Sequence, residues 1–135
     1  MAKQLRIGAL LDVDQPLPRI VEQLQQYEEA GLDHAFASQI FGPDALTLLA
    51  VLGAQVPRIK LGTGVVPIYP RHPMMLAQQA LTVQAATDDR LILGIGLSHQ
   101  VVVEGMWGMS FDRPYAYMRE YLDSLMPMLR GETVA

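Results

Sequence analysis

Two short stretches carry the bare backbone and the reactive side chains that a ligand site needs: Gly62-Thr63-Gly64-Val65-Val66 and Gly94-Ile95-Gly96-Leu97-Ser98-His99. Glycine lacks a side chain, so a flat ligand can rest against its peptide plane. Ser98 adds a hydroxyl, and His99 adds a ring that titrates near neutrality and can relay a proton. Such a set suits ligand binding, proton transfer or attack on an acyl carbon.

Narrower chemistries fit less well. GLSHQ sets Ser98 between a strand and a helix, as a nucleophile elbow requires, but Gln100 stands where the closing glycine belongs and no histidine follows beyond the adjacent His99 to act as base. A dinucleotide fingerprint fails as well. Its third glycine is replaced by Pro67 after Gly62 and Gly64, and by His99 after Gly94 and Gly96. His34, His72 and His99 share no ligand spacing and the chain has no cysteine, so no metal centre is expected. His34 reads as a strand start and His72 as a contact at the start of a helix. Glu28, Glu29, Asp88 and Asp89 read as solvated helix ends, away from the strand ends where a carboxylate pair would cleave a glycoside. The glycines also admit a plain reading as positions of tight packing.

The elements that must position these residues alternate along the chain. Apolar runs predict strands over 5–11, 34–38, 59–66 and 91–96, the last two apolar at nearly every position, as befits strands covered on both faces. Pro18 opens a helix with Ile20, Val21, Leu24 and Tyr27 at helical spacing, and Gly31 stops it. A second helix starts at Pro43 and Asp44 and runs to Ala54. A third runs from Pro73 to about Thr87 after the proline-stiffened loop PIYPRHP. A short apolar helix is expected over 101–107. A last one over 114–130 carries Met118, Leu122, Leu125 and Leu129 on one stripe.

Four βα units in this order, joined by right-handed crossovers, form a parallel sheet of the α/β class. An open doubly wound sheet or the N-terminal half of a (β/α)8 TIM-type barrel would accommodate them. The loops after the second, third and fourth strands all carry the unusual residues, and a barrel gathers such loops at one mouth, which favours the half barrel. Residues 1–135 then make one partial domain. Its two parallel edges and its inner face, assigned here to Ile7, Ala9, Phe36 and Leu93, require completion by further residues or by a second copy.

The totals bound the function. The formal net charge is -4 and the ten basic residues are scattered, which argues against a nucleic-acid partner. No segment approaches the roughly 20 apolar residues of a membrane span, and no secretory leader is evident. Without cysteine the chain suits a reducing cytoplasm.

Three segments, KLGTGVVPIYPRHP, LAQQALTVQAATDDRLILGIGLS and GMSFDRPYAYMREYLDSLMPMLRGETV, in this order and spacing resemble the N-terminal half of the luciferase-like monooxygenase and F420-dependent oxidoreductase superfamily. The resemblance covers nearly the whole chain. It implies a (β/α) barrel that binds the deazaflavin F420, or alternatively FMN, at its mouth and transfers hydride or activates oxygen on a small-molecule substrate. It also implies a bulge or non-prolyl cis peptide at Gly64 and Val65 behind the flavin ring, with Thr63 and Val66 beside them. Ser38 and Gln39 fall at the second-strand mouth, and Gly96, Ser98 and His99 at the fourth. Sugar-phosphate dehydrogenase members carry a catalytic glutamate at that fourth mouth, where this chain has Ser98 and His99. The resemblance thus makes Ser38, Thr63, Gly64, Val65, Val66, Gly96 and Ser98 cofactor-binding candidates and His99 the one candidate for catalysis.

A rival reading is a non-catalytic half barrel that forms a homo-oligomer, most simply a dimer, and binds a small ligand. The eight methionines are read here mostly as gap-filling core or interface residues; Trp107 with Phe111 would either cap the mouth or cover an exposed helix, and packing is the preferred reading.

Overall fold

A computed structural model describes residues 5–133; the outermost residues of the expected 1–135 domain lie outside the described ones. Every strand pairs in parallel. The main sheet has the order β1 (Gly8–Leu10), β2 (His34–Ala37), β3 (Lys60–Thr63), β5 (Leu91–Ile92), and a separate pair joins β4 (Val66–Pro67) to β6 (Ile95–Gly96). The helices are α1 (Leu17–Glu29), α2 (Ala45–Gln55), α3 (Pro73–Ala86), α4 (Gln100–Gly105) and α5 (Pro114–Leu129).

The third and fourth expected strands each break in two. The peptide between Gly64 and Val65 is cis and separates β3 from β4. Leu93 and Gly94 separate β5 from β6. The first strand is shorter than the expected 5–11 because Ile7 leaves the ladder: its N–H donates to the Asp33 carboxylate at 2.8 Å.

Side chains alternate between the two faces of the sheet. Ala35, Ala37, Leu61 and Thr63 are buried, on the side of the leucines of α2. Leu46, Leu49 and Leu52 are at most 1% exposed, and burying each contributes about 2 kcal/mol. Gly8 pairs with His34, Leu10 with Phe36, and Phe36 with Gly62, which in turn pairs with Ile92, so these residues share the opposite, open face. Leu10 there is 61% exposed. Ala9 pairs with Ala35 and takes the helix side, so the expected inner face was misjudged by one residue at Ala9, while Ile7 lies before the strand and is exposed. A slip of one flips every side chain of a strand. Leu93 likewise packs in part against the core.

Caps explain where the helices begin. The Asp44 carboxylate accepts from Thr47 N–H at 2.8 Å and starts α2. His72 does the same for α3, its Nδ1 accepting from Met74 N–H at 3.2 Å, so its ring serves the helix start as expected. On α5 the expected stripe is displaced toward tyrosines: Tyr121 and Leu125 are buried, and Tyr117 stacks on Tyr69 with ring centres 4.3 Å apart. That stack ties α5 to the loop after β4.

Two ion-bearing side chains close the far end of the sheet. Glu28 is not a solvated helix end: its carboxylate accepts from Arg58 N–H at 2.7 Å and Ile59 N–H at 2.8 Å. Amides before a strand need acceptors, and this carboxylate, only 10% exposed, supplies them. Arg90 donates to the carbonyls of Gly53, Val56 and Ile59 at 2.7 to 2.9 Å, satisfying groups that the end of α2 leaves open. No helix among the described residues is long and apolar enough to cross a membrane.

Candidate functional site

The carboxyl ends of β2, β4 and β6 converge on a cleft of about 200 Å³ lined by Ser38, Gln39, Ile40, Gly64, Val65, Pro67, Ser98, His99 and Trp107. Backbone bonds stitch its walls together. Gly64 N–H donates to Ala37 O at 2.9 Å, and Gln39 N–H donates to Val65 O at 3.3 Å. Val66 N–H reaches Gly94 O, and Ile68 N–H reaches Gly96 O, each at 3.0 Å. The three strand mouths are thus joined to one another by backbone hydrogen bonds.

Of the residues expected at the site, Ser38, Gly64, Val65, Ser98 and His99 line this cleft. Thr63, Val66 and Gly96 stand outside its lining. Thr63 is 2% exposed, and its hydroxyl donates to Gly94 O at 2.7 Å while accepting from Gly94 N–H at 2.8 Å. It is a strap between β3 and the β5–β6 break. Val66 is fully buried. A Cβ on Gly96 would fall 2.7 Å from Cγ2 of Val65, and one on Gly94 would fall 2.1 Å from Thr63 O. These two glycines admit the protein's own atoms rather than a ligand. Gly64 is different: the nearest atom to its missing Cβ is Phe36 Cβ at 3.4 Å, ordinary contact.

Ser98 has φ 66°, a left-handed conformation that costs a non-glycine residue about 1–3 kcal/mol. This bend, placed between β6 and α4, brings Ser98 and His99 to the cleft. The elbow geometry is present, but the one histidine side chain hydrogen-bonded among the described residues is His72, at Met74, so no imidazole serves Ser98. His99 occupies the N-cap position of α4 without a side-chain cap bond, which leaves its ring free.

Sequence reasoning missed the support under Gln39. Arg71 donates through Nη2 to Gln39 Oε1 at 2.9 Å and to the Asp44 carboxylate, and through Nη1 to Gln79 Oε1 at 2.8 Å. Gln39 Oε1 also accepts from Ala45 N–H at 3.0 Å. Burial by itself raises the Asp44 carboxyl, but the hydrogen bonds from Arg71 and Thr47 outweigh it and hold the group below its ordinary 3.8. The available signal was an arginine in a proline-stiffened loop, where a side chain 12% exposed must find acceptors. Trp107, read from sequence as packing, also reaches the cleft while partly packing on the core.

Comparison with known proteins agrees with this architecture. The profile of the luciferase-like monooxygenase family matches residues 3–135. A Mycobacterium tuberculosis protein provisionally named as a coenzyme F420-dependent oxidoreductase is 40% identical over 109 residues, covering 81% of this chain and 31% of that protein. The coenzyme F420 dependent tetrahydromethanopterin reductase of Methanopyrus kandleri superimposes with a TM-score of 0.80 at 21% identity, over 93% of this chain and 40% of that one. The oxygenating constituent of 3,6-diketocamphane monooxygenase from Pseudomonas putida, in complex with FMN, superimposes with a TM-score of 0.73 at 18% identity, over 93% of this chain and 39% of that one. The α/β fold is thus that of a partial (β/α)8 barrel, and the chain spans well under half the length of these proteins.

Proposed function

Since the chain belongs to the luciferase-like monooxygenase family, we propose that it forms the N-terminal half of an oxidoreductase barrel that holds coenzyme F420, or alternatively FMN, with the ring over Gly64 and Val65. Bound there, the ring would supply the atom that gives or takes hydride. The observation that carries this reading is the convergence of three strand mouths on one cleft whose floor is the bare backbone of Gly64 and the half-exposed Val65. Ile40, Pro67 and Trp107 add apolar surface that suits a flat heteroaromatic ring. At about 200 Å³ the cleft falls short of the roughly 300 Å³ at which ligand pockets begin, which suits one wall of a site completed by further residues or by a second copy. Ser38, Gly64, Val65 and Ser98 contact the cofactor in this scheme, Thr63, Val66 and Gly96 hold those contacts in place, and His99 relays a proton to or from a small-molecule substrate. We further propose a cytoplasmic location, a reading that the cysteine-free composition suits.

Trp107 is the chain's single tryptophan and lines the cleft, so its emission reports what enters. Titration with F420 and with FMN, at an oligomeric state fixed by sedimentation, is expected to quench Trp107 saturably with one of the two. A folded protein that binds neither would overturn the proposal.

The open face favours a second reading. Leu10, Ile7 and Ile92 are exposed on or beside the β1 and β5 edges, and a second copy turned about the barrel axis would offer each free edge a parallel partner. A half barrel that associates in this way and binds a small ligand without chemistry would be a homo-oligomer, with no response to either cofactor.

A further inference from the structure

We propose that the side-chain amide of Gln39 is a fixed hydrogen-bond donor of the cleft and binds a carbonyl oxygen of the molecule held there; the proposal rests on the cofactor reading above only where that carbonyl belongs to the ring. Gln39 lines the cleft just beyond the end of β2. A primary amide can present its oxygen or its nitrogen, and here the protein decides which. One terminal atom of the amide faces two groups that only donate, Nη2 of Arg71 at 2.9 Å and the Ala45 N–H at 3.0 Å. That atom is therefore the oxygen, and a flipped amide would set its NH2 against both donors. With Oε1 serving two donors, the NH2 is what remains. Among the described residues Nε2 has no hydrogen-bond partner, and it is not closed off from solvent.

The donor is also held in place. Gln39 N–H donates to Val65 O at 3.3 Å, and Arg71 is tied in turn to the Asp44 carboxylate and to Gln79 Oε1 at 2.8 Å. A side chain anchored in this way gives up little freedom when a ligand arrives. Val65 belongs to the cleft wall, so the Gln39 amide stands beside the peptide against which a flat ring would rest. Ser38 and Ser98 can turn their hydroxyls to donate or to accept, whereas the free end of Gln39 can only donate. Its complement is an oxygen with lone pairs and no hydrogen. A carbonyl meets that need, whether at the edge of the ring or on the small molecule lying against it.

Gln39→Glu is the deciding variant, because it keeps the shape and an oxygen for Arg71 and Ala45 but turns the NH2 into a second oxygen that repels a carbonyl. Gln39→Met, which has no polar group to offer, is the second. The full chain is titrated with F420, FMN and cyclohexanone separately, and with cyclohexanone beside bound cofactor. Binding is followed by Trp107 emission, and the carbonyl stretching band of the bound molecule by infrared difference spectroscopy at saturation. The wild type is expected to bind at least one of the three, with a carbonyl band lower than in either variant and an affinity about tenfold higher. A merely structural role for Gln39 would change affinity and leave the band in place. Movement of a cofactor band assigns the carbonyl to the ring, and movement of the cyclohexanone band alone assigns it to the substrate. Bands unmoved by both substitutions, or a folded wild type that binds none of the three, would overturn the inference. Cofactor bound with every band unmoved defeats this inference alone, and cyclohexanone held through Gln39 with neither cofactor bound defeats the cofactor reading alone.

Discussion

The ring of Phe36 fills the space that Gly62 leaves empty: a Cβ on Gly62 would lie 2.5 Å from both Cδ1 and Cε1 of that ring. Gly8 flanks the same ring on the neighbouring strand, where a Cβ would meet Phe36 Cε2 at 3.1 Å. The open face of the sheet is therefore organised around one aromatic side chain set between glycines. Beyond it, toward the strand ends, the cleft begins at Gly64. Strand glycines serve two purposes here, a seat for Phe36 and, one pleat further on, bare backbone at the mouth.

Substituting Gly62 by Ala is expected to cost about 1–3 kcal/mol, because the methyl must push the Phe36 ring aside. Pairing it with Phe36→Leu should restore part of that loss, since the clash is with a side chain. In Gly94→Ala the methyl meets the carbonyl oxygen of Thr63 instead, so no side-chain change nearby should rescue it. Urea denaturation of the singles and the double gives the coupling energy. Strict additivity of Gly62→Ala and Phe36→Leu would refute the seat.

Much of this architecture was legible because it rests on local signals. Proline and glycine marked the helix ends, and the run Leu91-Ile92-Leu93 marked a strand, although the expected cover on both faces is missing: Ile92 is exposed on the open face and Leu93 lies past the end of β5. The βα alternation then left few topologies. What stayed hidden depends on contacts between distant segments. Glu28 looks like any helix-end acid until the amides of Arg58 and Ile59 arrive beside it. Thr63 resembled a ligand contact until the fold brought Gly94 against it. The cleft was half legible: its strand-end residues followed from position and Trp107 at the mouth was the less favoured of two readings, whereas the Arg71 support lies on a loop whose path no periodicity reports.

Tyr121 predicts a loss of stability in alkali. Burial is the main cause that pushes its phenol up to about 12 from 10.0, with Tyr117 adding to the shift and Arg71 opposing it. Because the folded chain keeps the proton longer than the unfolded one, this stabilisation is fully present below pH 10 and is lost as pH rises toward about 12. The hydroxyl is buried and makes no hydrogen bond. Tyr121→Phe should therefore leave stability at neutral pH unchanged or raise it by up to about 1 kcal/mol, and should flatten the alkaline limb. Urea midpoints at pH 7 and across pH 9–11 test both; a large loss at pH 7 would show that the hydroxyl is bonded after all.

Arg71 links acid stability to the shape of the cleft, and two variants separate these roles. Asp44 has a folded-state pKa below its ordinary 3.8, so its contribution is present above that value and is lost as pH falls through the lowered one. Asp44→Asn keeps an acceptor for the Thr47 amide and removes the charge opposite Arg71. For a carboxylate one third exposed the loss at neutral pH is expected to be about 1 kcal/mol, with a flatter stability curve below pH 4. Arg71→Lys acts elsewhere. A lysine ammonium lacks the planar fork that reaches Gln39, Asp44 and Gln79 together, so the Gln39 side chain loses its anchor at the cleft wall. Affinity for whichever cofactor binds should then fall about tenfold, or about 1.4 kcal/mol, in Arg71→Lys and much less in Asp44→Asn. Equal effects of the two variants on cofactor affinity would mean that the ion pair, rather than the bond to Gln39, shapes the site.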